Sequence, residues 1–150
     1  MVVTGIISRR NRDLSRILLT DTGLERNSSI ISFSVIGENR EICGACEKVT
    51  GFCETNSMPA KQLVRISLAL EELMTLVAAK NAPKQVHFDI RMFSYMGTIG
   101  IRIRYDGIGL DPLSGREDSD EYMGIAMIRK MVRSVLYRRI CGLNSLLVLI

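Results

Sequence analysis

Apolar and polar positions alternate with two different periods along this chain, and the period changes mark its elements. Ile30 to Val35 is a short apolar run that reads as a strand. Gly37 and Glu38 open a helix that runs to about Cys53, with Ile42, Cys46, Val49 and Phe52 or Cys53 on one side. Residues 54–58 form a loop in which Ser57 is placed to cap the next helix, with Pro59 in its first turn. That helix runs to about Lys80, where Asn81 stops it. Leu63, Ile66, Leu70, Leu73 and Val77 form its core stripe.

Period two follows. Val86, Phe88, Ile90 and Met92 share one face of a strand over 85–95, and Gly97 turns the chain back. Ile99, Ile101, Ile103 and Tyr105 alternate with Arg102 and Arg104, the pattern of a half-buried strand, so the two strands pair as an antiparallel hairpin. A polar run at 114–121 precedes a helix over 122–132. Strands at 135–140 and 145–150 then flank a turn at 141–144. Upstream, residues 8–20 read as a short helix carrying Leu14, Ile17 and Leu18, and 21–29 as a loop. Grouped strands and grouped helices predict an α+β fold. It is a two-layer α/β sandwich, with helices packed on one face of a mixed, largely antiparallel sheet.

A length of 150 residues and a hydrophobic fraction of 47% fit one packed domain. Net charge is +4, spread over several segments, and Trp is absent, so neither a nucleic-acid groove nor a base-stacking platform is expected. Cys43, Cys46 and Cys53 fall on one helix and Cys141 in a turn. They read as reduced thiols, the buried ones acting as small hydrophobes, in a cytoplasmic setting. The start, Met1 to Ile7, is apolar and is followed by Arg9, Arg10 and Arg12. That order fits the cytosolic end of a membrane helix, or an ordinary N-terminal strand before a charged helix. Residues 1–28 are therefore taken as an N-terminal extension or linker and 29–150 as the domain.

Three places carry candidate chemistry. Asp106-Gly-Ile-Gly-Leu-Asp-Pro112 follows a strand. Its glycines permit a sharp turn and close approach of a ligand, and Asp106 can accept a hydrogen bond from a ligand amino group. Glu72 interrupts a second apolar band on the long helix formed by Leu68, Ala69, Thr75 and Leu76. It lies at the rim of a cleft, where it could act as a general base, or it reaches out to solvent beside Glu71. Gly124 opens a helix whose free N–H groups and dipole favour an anion. The polar run at 114–121 is a surface loop or a lid. Arg129, Lys130, Arg133, Arg138 and Arg139 form a solvent face or meet an acidic partner.

In this order, Glu-Glu-Leu-Met-Thr on a long helix, Asp-Gly-Ile-Gly-Leu-Asp-Pro after a hairpin and Met-Gly-Ile-Ala-Met-Ile-Arg-Lys-Met-Val after a polar run resemble a known domain. It is the ATP-binding domain of histidine kinases, Hsp90, gyrase and MutL (GHKL). The likeness is greatest to the anti-sigma-factor serine/threonine kinase branch and covers about residues 29–150. The resemblance implies ATP or ADP between helices and lid. Asp106 would bind the adenine amino group, with Gly107 and Gly109 in its turn, Glu72 as general base and Gly124 at the phosphate-binding helix. The chain departs from the pattern where the family holds magnesium with asparagine: Leu76 stands there and cannot ligate a hard cation. Tyr122 stands where the family has a glycine. The resemblance thus implies a nucleotide-binding regulatory domain with a degenerate magnesium site. The alternative is a pseudo-kinase used as a protein-interaction module, free or as the cytosolic tail of a membrane protein. The partner in either case is a regulatory or sigma-factor-like protein, and a homodimer is open.

Overall fold

The structure is a computed structural model that describes residues 29–95, 97–114 and 123–150. The expected helix at 8–20, most of the polar run and Tyr122 lie outside these residues. The elements are β1 (Ser29–Ile36), α1 (Asn39–Thr55), α2 (Ala60–Asn81), β2 (His87–Tyr95), β3 (Thr98–Tyr105), α3 (Met123–Met131), β4 (Ser134–Ile140) and β5 (Leu143–Leu149). The strands form one sheet in the order β1-β2-β3-β5-β4. Every pairing among the described residues is antiparallel. The fold is the α+β sandwich that the periodicities predict.

Directly paired residues share a face of the sheet. Val35, Phe88, Tyr105 and Asn144 therefore form one row, and Phe33, Ile90, Ile103 and Leu146 the next. This face meets Ile42, Val49 and Phe52 of α1 and Ile66, Leu70, Leu73 and Val77 of α2, which together form the core. Each such side chain contributes ~1.5–3 kcal/mol when fully buried. α3 packs in turn on α2.

Three local expectations need correction. β3 is not half-buried by alternation: Arg102 is fully buried, and Arg91, Arg102 and Arg104 all have partners. A central strand has neighbours on both edges, and its alternate residues leave water as well when the second face is also covered. Ser57 does not cap α2. It adopts φ +57°, Pro59 takes the cap position, and no side chain bonds the helix end there. The β4–β5 connection is a two-residue turn, Cys141-Gly142, with φ +52° and +77°. Both central residues at positive φ match the twist of the flanking strands.

Candidate functional site

The residues singled out by sequence fall in two places at different heights of α2. Asn81 and Glu72 mark them, nine residues apart and thus about 13 Å along the helix axis.

The first place is the turn after β3. Tyr105 is the last residue facing the core, so Asp106 follows by alternation onto the face away from α1 and α2. Its carboxylate accepts the backbone N–H of His87 at 2.8 Å and meets His87 Nδ1 at 2.9 Å. Both side chains are partly open to solvent. Asp106 borders a cavity of about 350 Å³ lined by strand residues, among them Ser34, Ile36, His87, Asp89, Arg104 and Leu143. Burial lowers the Arg104 pKa, and Asp89 opposes that shift.

Beyond Asp106 the turn is braced from inside. Gly107 adopts φ +88°, and a Cβ there would stand 2.2 Å from Asn81 Oδ1. Asn81 Oδ1 accepts the N–H of Ile108 at 2.8 Å, while its amide donates to the Val77 carbonyl at 2.8 Å. Asn144, fully buried, donates to the carbonyls of Tyr105 (3.2 Å) and Ile108 (3.0 Å). Its Oδ1 accepts from Leu110 N–H (3.3 Å), the Tyr137 hydroxyl (2.5 Å) and the Arg139 guanidinium (3.2 Å). Arg139 also donates to the Gly107 carbonyl at 3.0 Å, and its side chain lies 3.0 Å from where a Gly109 Cβ would be. The Tyr105 hydroxyl donates to the Leu110 carbonyl, and burial drives its pKa upward. The glycines thus serve the turn's own packing against two asparagines and an arginine.

The second place joins Glu72 and Gly124. Glu72 Oε2 accepts the N–H of Ile125 at 2.9 Å. A Cβ on Gly124 would lie 2.9 Å from Ala69 N, Leu68 C and Glu72 Oε2. Gly124 therefore lets the first turn of α3 rest directly on the backbone of α2. The anion at this helix N-terminus is the chain's own carboxylate, which satisfies an otherwise unpaired N–H and complements the dipole. Leu76, one turn further along α2, is half-buried and brings no oxygen donor. Between α2, α3 and the sheet, Ile66, Leu70, Leu73, Ile103, Leu113 and Ile128 leave a void of about 10 Å³. That is at the lower limit for one water molecule.

Sequence reasoning placed Asp106, Gly107 and Gly109 in one turn, and the structure brings Glu72, in the middle of α2, together with Gly124. The same reasoning missed His87, Asn81, Asn144 and Arg139. His87 is the single histidine of the chain, a signal that its strand position obscured. Asn144 shows its role only once β3 and β5 are in register, with Tyr105 opposite Asn144.

The chain matches no protein-family model and no curated protein sequence. No helix among the described residues is long and apolar enough to cross a membrane.

Proposed function

We infer that this is a non-catalytic regulatory domain built on the histidine-kinase-like (GHKL) sandwich, acting through contact with another protein. One observation carries the reading: Glu72 and the N-terminus of α3 are bonded to each other at 2.9 Å. In a phosphotransferase of the resembled type, that helix end faces phosphate and that glutamate faces the reacting hydroxyl. Here each satisfies the other. The absence of an oxygen donor at Leu76 agrees with this, since transfer of a γ-phosphoryl group depends on metal charge and positioning.

Exposed apolar side chains near the turn after β3 support a protein partner. Ile108 (49% exposed), Ile140 (37%) and Leu143 (41%) are large apolar side chains left in water. Arg138 shares a face of β4 with Ile140, while Arg139 lies on the other face against the Gly107 carbonyl; exposed apolar side chains beside a basic one fit a partner segment that is apolar with acidic flanks. A cytoplasmic regulatory protein, sigma-factor-like or other, is the class of partner this reading entails. The N-terminal apolar-then-basic order extends it to the cytosolic side of a membrane protein.

The nucleotide-binding reading keeps one support, the cavity of about 350 Å³ beside Asp106. Equilibrium dialysis with radiolabelled ADP, and ATP turnover measured by ADP release, separate the two. No retained ADP at millimolar ligand and no ADP release above the protein-free rate are expected. Saturable retention that Asp106→Asn abolishes would establish the nucleotide reading instead.

A further inference from the structure

The backbone of β4 can be followed outward from the middle of the sheet. Ile150 N–H donates to the Ile99 carbonyl at 2.9 Å, and Ile99 N–H donates to the Ile150 carbonyl at 3.3 Å. The two residues are thus a hydrogen-bonded pair across β3 and β5. Alternation from Ile150 turns the backbone groups of Val148, Leu146 and Asn144 toward β3, and those of Leu149, Leu147, Ser145 and Leu143 toward β4. Their partners on β4 are Ser134, Leu136, Arg138 and Ile140. The N–H and C=O of Val135, Tyr137 and Arg139 therefore point away from the sheet. Among the described residues no strand lies beyond β4, and β4 is exposed or half-buried along its whole length. Such a row of outward donors and acceptors is a template for an added strand.

Charge decides what kind of strand fits. Residues 123–150 carry Arg129, Lys130, Arg133, Arg138 and Arg139, and no aspartate or glutamate. Arg139 is held by two neutral acceptors, Asn144 Oδ1 and the Gly107 carbonyl. Arg138 and Arg133 are exposed, and among the described residues neither pairs with a carboxylate. The carboxylates of the turn that Arg139 touches are in use: Asp106 holds His87, and Asp111 holds the Leu113 N–H. Glu117, Asp118, Asp120 and Glu121 lie outside the described residues. A second copy of this chain would bring the same sign to the edge and be repelled, whereas an acidic chain is attracted.

We propose that β4 receives an extended acidic segment of another protein as a sixth strand of the sheet. Main-chain bonds to Val135, Tyr137 and Arg139 hold the segment, and side chains select it. Leu136, Arg138 and Ile140 share the face away from α1 and α2, since the alternate residues Val135 and Tyr137 pair with Val148 and Leu146 of the core. The segment therefore places an acidic residue opposite Arg138 and apolar residues opposite Leu136 and Ile140. The apolar residue opposite Ile140 extends the exposed row that Ile140 forms with Leu143. A further acid beyond Ser134 meets Arg133. This names the mode of the protein contact inferred above and rests on that reading.

The test is amide exchange by NMR on the full chain, titrated with the synthetic peptide Glu-Thr-Val-Thr-Glu-Thr-Val-Thr-Glu, whose pattern reads the same in either strand direction. Without peptide, the amides of Val135, Tyr137 and Arg139 are expected to exchange fast and those of Leu136 and Arg138 slowly. With peptide, the first three become protected, an alternation that contact through side chains alone does not produce. Arg138→Glu is expected to weaken the peptide's affinity about tenfold, as loss of a cross-strand charge pair with reversal of its sign. Val135→Pro deletes only an outward N–H, so it should weaken binding while the circular dichroism is unchanged. The titration is repeated with Glu117, Asp118, Asp120 and Glu121 changed to their amides, so that the chain's own acids do not compete. No saturable binding by either chain overturns the proposal, as does binding that leaves the three outward amides in fast exchange. Either failure, with no ADP retained on dialysis, strikes the sixth strand alone and leaves the non-catalytic reading standing.

Discussion

Glu72 and Gly124 illustrate how two residues can look like chemistry and act as architecture. The carboxylate holds the Ile125 N–H, and the missing side chain at Gly124 allows the contact. Glu72→Ala removes a cap and a favourable charge at a helix N-terminus, an expected loss of ~1 kcal/mol. Glu72→Gln keeps the acceptor and should lose less. Gly124→Ala places a methyl group against the backbone of α2 and is expected to lose ~1–3 kcal/mol. Urea unfolding of the three variants checks the order; a Glu72→Ala protein as stable as wild type would remove the capping role.

The thiols are a second residue-scale case. Burial pushes both Cys46 and Cys53 up to about 11 from 9.0. A pKa raised by folding means stability that is full below the unfolded value and lost as pH climbs toward the folded one. Tyr105, raised by burial, has the same sign. The urea midpoint should therefore fall between pH 9 and 11. At neutral pH, iodoacetamide should modify exposed Cys43 and Cys141 before Cys53, which is buried. Peptide mass spectrometry reads this directly, and equal rates at Cys53 and Cys43 would contradict it.

At the scale of elements, the turn after β3 is held by the end of a helix and the start of a strand. Asn81 closes α2 and also fixes Ile108; Asn144 opens β5 and ties Tyr105, Ile108 and Leu110 together. Asn81→Ala leaves the Ile108 N–H without its acceptor, an expected cost of ~1–3 kcal/mol. Asn144→Ala, which strands several buried groups, should cost more. Hydrogen exchange locates the damage: faster exchange at Ile108 for the first variant and at Leu110 for the second. Unchanged protection at both amides would mean that the turn is held by the strands alone. This bracing was not legible in the sequence, where Asn81 reads as a helix stop and Asn144 as a turn residue. Both are local roles, and the bonds span 27 to 39 residues. The helices and strands themselves were legible, because the stripes of α2 and the alternation of β2 are set by local burial. The Ser57 cap failed where Pro59 took that position instead.

For the whole molecule, periodicity and element order were enough for the sandwich, since each apolar face had one layer to pack on. The residues of the candidate site were legible as types but not as a site. Motif order placed Asp106 and Glu72 on one ligand, and the fold gives each carboxylate a partner within the chain, His87 and Ile125. Whether a carboxylate faces a cleft or a neighbour depends on side-chain packing across distant segments, which no local pattern encodes. The central claim, that this sandwich works without nucleotide, is tested most directly by thermal unfolding with ATP or ADP, each with and without magnesium. The account predicts the same melting temperature in all conditions at millimolar nucleotide. A saturable rise, on the order of the ~2.7 kcal/mol expected at 100 times Kd, would contradict it.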